Sequence, residues 1–142
     1  MLPLRAILAL GVVLLLPACA QRNSTAEVAE VNPVDWFTPA RVELPVTDTV
    51  SYAQIYIVLR YTNIISTDSV EVVVTTTAPD GVTWNEPHAI HTPQGNHSIH
   101  MVESLYRSQV KWGQVGNYTV TFHPKQPYKG VSAVGVNVLY NK

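Results

Sequence analysis

The chain has 142 residues with 9 basic and 10 acidic side chains, so its formal charge at pH 7 is −1. This near balance argues against binding to nucleic acid, which needs a concentrated basic patch to displace counterions from phosphates. The length suits one domain rather than two. Because there is only one cysteine, no disulfide can form within the chain, and the fold must be held by burial.

The first residues have the parts of a secretory signal peptide. Arg5 and the free amino group form the charged region, and residues 6–16 form an apolar core. This core is shorter than the roughly 20 apolar residues that a transmembrane helix needs. We therefore expect residues 1–18 to be a lipoprotein signal peptide that is removed. Removal of 18 of the 142 residues would leave 124, with a charge of −2 because Arg5 is lost.

The cysteine directly follows this segment. Leu16, Pro17, Ala18 and Cys19 resemble the lipobox of bacterial lipoproteins, in which the cysteine becomes the lipid-modified N-terminus, although proline is less usual in this pattern. The alternatives are an ordinary cleaved signal that leaves a free thiol, or an uncleaved anchor. We predict a covalent N-terminal lipid on Cys19 as the membrane attachment, and no other cofactor.

Composition changes near residue 36. Residues 19–35 show no sustained periodicity and are predicted to be the lipidated N-terminus and a flexible tether. Residues 36–142 are predicted to be the folded domain.

The domain sequence alternates with period two. Core-facing positions are predicted at Ala53, Ile55, Ile57, Leu59 and Tyr61, at Val70, Val72 and Val74, at Tyr118, Val120 and Phe122, and at Val134, Val136, Val138 and Tyr140. Residues 78–81 read Ala-Pro-Asp-Gly, which is typical of a turn. Ten prolines and seven glycines leave little room for a long helix, and residues 101–108 are the only helix-compatible stretch.

These patterns predict an all-β protein. Each strand has one apolar face that must meet a second layer, so we expect a single antiparallel β-sandwich of immunoglobulin-like or jelly-roll type.

Five stretches of the domain occur in an informative order. Residues 60–63, 72–81, 105–107, 116–120 and 130–136 read RYTN, VVVTTTAPDG, LYR, GNYTV and GVxxVGV. Together they resemble the gliding-motility lipoprotein family GldH of Bacteroidetes, over roughly residues 36–140. The resemblance implies a noncatalytic envelope lipoprotein that serves the gliding machinery and the associated type IX secretion system. The chain departs from the family in residues 82–100, where histidine is concentrated.

The expected partners are the membrane, through the lipid anchor, and other envelope, gliding or type IX secretion proteins. Residues 20–23, which follow the cysteine, lack an acidic run associated with surface export. We therefore expect the outer membrane, on its periplasmic side. The alternative function is a lipid-tethered binding module for cell-wall or surface glycan.

Four histidines form two HxxH pairs, His88 with His91 and His97 with His100. Imidazole suits zinc, copper or nickel, which makes a metal-binding lipoprotein a further alternative. In an extended chain, however, residues three apart point to opposite faces. A hairpin turn at residues 92–95 would bring His91 opposite His97. Solvated polar positions are the favoured interpretation, and we predict no metal site.

Aromatic residues provide the other candidate binding groups. Tyr52, Tyr56 and Trp84 would suit a protein or sugar contact if they formed one exposed patch. Burial in the core is the expected position for most of the tryptophans. The chain contains no GxSxG elbow, HExxH helix or glycine-rich phosphate loop, so we predict no catalytic residues and no enzymatic activity.

Lipidation can be tested directly. Cells that express the full chain should incorporate a labelled fatty acid into it, and Cys19→Ala should abolish that label. Label that survives in the variant, or none in the natural chain, would contradict the prediction.

Overall fold

A computed structural model describes residues 23–141, so the predicted signal peptide and Cys19 lie outside the described residues. Within that range the chain forms strands and no helix. The strands are β1 (Ser24–Glu30), β2 (Ala40–Val46), β3 (Tyr52–Thr62), β4 (Ser69–Thr77), β5 (Thr83–His91), β6 (Ile99–Val110), β7 (Gly116–Pro124) and β8 (Val131–Asn141).

The strands form two antiparallel sheets. The order is β1-β8-β3-β6 in the first sheet and β2-β7-β4-β5 in the second. Of the connections between consecutive strands, only the one from β4 to β5 joins neighbours in the same sheet, and the others cross between sheets. This is the strand order of an eight-stranded jelly roll. The predicted all-β sandwich is confirmed, in its jelly-roll form.

The core lies between the two sheets and follows the period-two pattern. All five inward positions predicted for β3 are buried, and so are those of β4 and β7. In β8, Val134, Val136 and Val138 are buried, whereas Tyr140 is only partly covered. These side chains belong to one buried cluster that takes residues from both sheets. The regular alternation therefore sets which face of each central strand is covered.

The predicted flexible tether is wrong for part of its length. Ser24–Glu30 forms strand β1, which pairs with β8 over seven residue pairs. Further along, Trp36 pairs with Tyr128 in an isolated bridge and is buried. The sequence STAEVAE shows no clear alternation of apolar and polar residues, because β1 is an edge strand whose side chains are exposed or only half-buried. The folded domain thus begins well before residue 36.

The stretch at residues 101–108 is also a strand. It forms the middle of β6, which pairs with β3 on one side and has a free edge on the other. Tertiary pairing has overridden the local helix-compatible composition.

The sandwich has two distinct ends. β1 and β3 begin, and β8 ends, at what we call the terminal end, together with the connections at 47–51, 78–82 and 111–115. The backbone N–H of Tyr140 donates to the carbonyl oxygen of Asn23 there, at 2.8 Å. The opposite end holds the connections at 31–39, 63–68, 92–98 and 125–130.

Gly135 allows β1 to approach β8 closely, as a glycine within a strand suggests. A Cβ atom at this position would collide with the carbonyl oxygen of Glu27 and would lie 2.7 Å from the Cα atom of Val28. Backbone atoms cannot yield as a flexible side chain would, so only glycine fits here.

Gly135→Ala should therefore lower the free energy of unfolding by roughly 1–3 kcal/mol, the usual cost of overpacking. The control is Gly113→Ala, whose Cβ would meet nothing within 4 Å and should change stability by less than about 0.5 kcal/mol. Urea unfolding measures both. Equal midpoints for the two variants would contradict the close contact between β1 and β8.

Candidate functional site

A cleft of about 450 Å³ lies between the two sheets, toward the terminal end. It is bounded by β3 and β6 of the first sheet and by β4 and β5 of the second. β5 and β6 are both edge strands and belong to different sheets, so no backbone ladder joins them. Protein cores seldom contain voids larger than a water molecule. A space of this size, within the range of ligand pockets, marks a candidate binding site.

The interior of the cleft is apolar. Its aliphatic walls include Leu44, Ile55, Ile57, Val74, Val120 and Val136. Trp112 and Tyr118 form one aromatic wall, with their ring centroids 4.7 Å apart. Trp84 stands at the mouth with 47% of its surface exposed. Charged groups contribute to the lining through Asp80, Glu86, Arg107 and Lys111.

Tyr106 and Thr76 face each other from opposite sheets. Burial raises the pKa of the Tyr106 hydroxyl, and its hydrogen bond with Thr76 partly offsets that effect. The two hydroxyl groups thus lie side by side within an otherwise apolar region, which suits an apolar ligand better than a polar one.

An ion pair crosses the gap between the edge strands. The guanidinium of Arg107 on β6 contacts the carboxylate of Glu86 on β5, and it also lies 4.6 Å from the ring centroid of Tyr106. The two charged side chains are 43% and 35% exposed. An ion pair this accessible contributes about 0–1 kcal/mol, so it can separate at low cost.

His88 completes this seam. Its Nε2 lies 2.8 Å from the Ser104 hydroxyl of β6, and its ring packs edge-on against Tyr106, with centroids 5.5 Å apart. Burial lowers the pKa of His88, because desolvation disfavours the charged imidazolium. His88 therefore joins the two sheets as a half-buried structural side chain.

The structure separates the other histidines. His100 stacks on Tyr61 with centroids 5.1 Å apart, and its Nε2 lies 2.7 Å from the Asn63 side-chain oxygen. His91 ends β5, and His97 is exposed in the 92–98 connection. The hairpin expected to bring His91 opposite His97 is wrong, because β5 and β6 lie in different sheets. Within residues 23–141, no group of three or more His, Cys, Asp or Glu side chains could hold a metal ion.

The three aromatic candidates do not share one patch. Tyr52 and Tyr56 belong to β3 of the first sheet, whereas Trp84 lies on β5 of the second. The Tyr56 hydroxyl donates to the Gln54 side chain at 2.9 Å, and the Lys111 ammonium lies 4.6 Å from the Tyr52 ring centroid. Trp36 and Trp112 are buried, as expected for most of the tryptophans.

The sequence did contain a signal for the cleft. Alternate residues 84, 86, 88 and 90 of β5 are Trp, Glu, His and Ile. Trp84 and Glu86 line the cleft, His88 lies in the seam, and Ile90 is buried. The two polar residues obscure the period-two pattern of an inward face. Four of the five stretches that carry the family resemblance contribute to the cleft, namely those at 72–81, 105–107, 116–120 and 130–136.

No family model, curated protein or solved structure matches this chain. In the described part of the chain, no helix is long and apolar enough to cross a membrane.

The lowered pKa of His88 predicts a pH-dependent stability. An unfolded histidine titrates near pH 6.5, above the folded His88. The unfolded state then binds more protons below about pH 6.5, so the stabilisation is complete above that pH and is lost as pH falls through the folded pKa. Between pH 7 and about pH 5, the natural chain should lose more unfolding free energy than His88→Gln.

Urea unfolding at several pH values gives the comparison. His97→Gln is the control, since His97 is exposed in a connection away from the seam. Its unfolding free energy should change with pH as much as that of the natural chain. Equal pH dependence for the natural chain and His88→Gln would contradict the role of His88.

Proposed function

We propose that this protein is a noncatalytic cell-envelope lipoprotein, attached through Cys19, that serves as a docking component of gliding-motility or type IX secretion machinery. The ordered GldH-like stretches support the choice of machinery. The observation that carries the docking role is an apolar surface on the outside of the first sheet.

What we call the apolar outer face contains Val28, Tyr56, Val58, Met101 and Leu105, of which Val58 is itself buried. Glu103 lies among them, opposite Val58, and its carboxylate accepts a hydrogen bond from the Asn137 side chain at 3.1 Å. The pairing register aligns Leu105 with Tyr56, and Val58 with Gly135 and Val28. Met101, Leu105 and Val28 are 60%, 53% and 48% exposed. Apolar side chains that cluster on one exposed face are typical of a protein interaction surface.

The outside of the second sheet provides the contrast. Its registers align Thr121, Thr75 and Asn85, and in the next row Thr119, Thr77 and Thr83. These side chains bond across strands, with Thr75 donating to Asn85 at 2.7 Å and Thr77 lying 3.2 Å from Thr83. This face is therefore polar, whereas the first sheet holds Met101, Leu105 and Val28 in exposed positions.

The polar groups of the cleft support a noncatalytic role. Asp80 accepts a bond from the Val82 N–H at 3.0 Å, and that bond contributes most to lowering its pKa. Glu86 is paired with Arg107, and His88 with Ser104. Each of these groups is engaged in structural contacts rather than aimed at a common reacting atom.

The attachment fits the position of the terminal end. Cys19 precedes Ser24, where β1 begins, by five residues, which span at most about 18 Å when fully extended. A lipid on Cys19 would hold the terminal end close to the membrane. We propose that the protein is anchored in the outer membrane and faces the periplasm, because residues 20–23 lack an acidic run.

The alternatives have less support. A glycan module would need an open aromatic row, and Tyr52, Tyr56 and Trp84 are divided between the two sheets. A histidine metal site would need converging ligands, and the four histidines lie in separate environments.

The test is crosslinking in intact cells, followed by purification of the tagged full chain from envelopes. We expect gliding or type IX secretion proteins to be recovered with the natural chain. Leu105→Glu should lower that recovery about tenfold, which corresponds to losing roughly 1.4 kcal/mol of binding free energy. Cys19→Ala should also lose the partner, because the protein leaves the membrane.

Thr121→Glu is the matched control, since it places the same charge on the opposite sheet, and it should leave recovery unchanged. Both glutamate variants should unfold within about 0.5 kcal/mol of the natural chain, because the substituted positions are at least partly exposed. Equal losses in the two variants, or no such partner with the natural chain, would refute the docking role.

A further inference from the structure

We propose that the cleft between β5 and β6 binds one acyl chain of a membrane lipid. The inference rests on the proposed lipid anchor for the source of the ligand, but its chemistry is argued from the cleft itself.

The interior selects an apolar ligand. The walls are formed by aliphatic and aromatic side chains from both sheets, among them Ile57, Val74 and Trp112. The hydroxyl groups of Tyr106 and Thr76 face each other from opposite sheets. A sugar or a peptide would bury several hydroxyl or amide groups against these walls. The Nε1 of Trp112 is one buried donor there without a hydrogen-bond partner among the described residues, so most of those groups would lack hydrogen bonds, which is costly. A hydrocarbon chain has no such groups, and the volume of about 450 Å³ suits a small ligand.

The mouth selects an amphipathic molecule over a simple hydrocarbon. Arg107 and Lys111 supply two cations beside the apolar interior. Asp80 and Glu86 supply two anions there, and backbone hydrogen bonding keeps the pKa of Asp80 low, so the mouth is polar without a net charge. Glu86 pairs with Arg107, and the Lys111 ammonium lies over the ring of Tyr52. The half-exposed indole of Trp84 gives the mouth the mixed apolar and polar character of a membrane interface.

Entry requires little rearrangement. The seam between the edge strands is closed by side chains, through the ion pair of Glu86 with Arg107 and the contact of His88 with Ser104. An exposed ion pair of this kind is weak, so an incoming chain can displace it without unpairing a backbone ladder.

The position of the cleft indicates where the acyl chain would come from. Its lining includes residues of the 78–82 and 111–115 connections, which lie at the terminal end. That end is held within about 18 Å of Cys19 by the length of the intervening chain. Exposed apolar residues occur at both ends of the sandwich, so the covalent connection, rather than apolarity, gives the orientation.

The test uses the purified full-length lipoprotein reconstituted into phosphatidylglycerol and phosphatidylethanolamine vesicles. The vesicles contain a phospholipid with a photoreactive diazirine near the methyl end of one acyl chain. After irradiation, mass spectrometry of peptides should find the lipid attached within residues 74–84 and 106–112. Attachment confined to exposed loop tips or to the apolar outer face would overturn the proposal.

Two variants of adjacent residues provide the matched comparison. Val74→Phe fills the cleft, whereas Val73→Phe adds the same ring to the opposite face of β4. Cleft labelling should fall at least roughly tenfold in the first variant and persist in the second. Equal labelling in both would overturn the proposal. Should Val74→Phe fail to fold by circular dichroism, Ala78→Leu, also in the cleft lining, takes its place with the same expected loss.

Failure of the anchor and failure of the cleft give different results. A photoreactive palmitic acid in solution should label the cleft of full-length Cys19→Ala as well as that of the natural chain. Cleft labelling in Cys19→Ala without fatty-acid incorporation at Cys19 of the natural chain would refute the anchor and support the cleft. Incorporation at Cys19 without cleft labelling by either probe would refute the cleft alone.

Discussion

Burial between two sheets is the constraint on which the rest of this structure depends, because the single cysteine allows no internal disulfide. The central strands β8, β3, β7 and β4 meet this constraint with regular apolar faces that form one buried cluster. The edge strands β5 and β6 meet it less completely, since contacts of His88 and Glu86 close the seam between them. The cleft is a consequence of that incomplete closure, and its apolar chemistry is inherited from the core.

The four central strands were predictable from the sequence, and of the four edge strands only β2 carries a comparable signal. β3, β4, β7 and β8 each bury one face, and apolar residues therefore alternate with polar ones along their sequences. β2 carries the same signal in Val42, Leu44 and Val46, and could have been found. β1, β5 and β6 have polar residues among their inward-facing positions, so their sequences lack the apolar alternation that would identify them as strands. Gly135 was informative, since a glycine inside a strand indicated the close approach that β1 makes.

The candidate site was hidden for a different reason. Its walls come from both sheets, and no local pattern tells which connections cross from one sheet to the other. The expected histidine hairpin failed on this point, because a turn-like sequence at residues 92–95 fits a crossing connection as well as a hairpin. The separation of Trp84 from Tyr52 and Tyr56 likewise depends on sheet membership alone. The function predicted from this sequence therefore depended on the family resemblance and on Cys19, and not on the cleft.

The way β1 is held has a mechanical consequence. β1 begins at the terminal end and runs along the sheet beside β8, with seven residue pairs whose hydrogen bonds lie across the strand direction. If the proposed anchor pulls on its first residue while the far part of the sheet is held, the force acts along the strand axis. The seven pairs then bear the load together in shear and do not unzip one after another. β1, the first strand of the described residues, is thus oriented to transmit tension into the sheet.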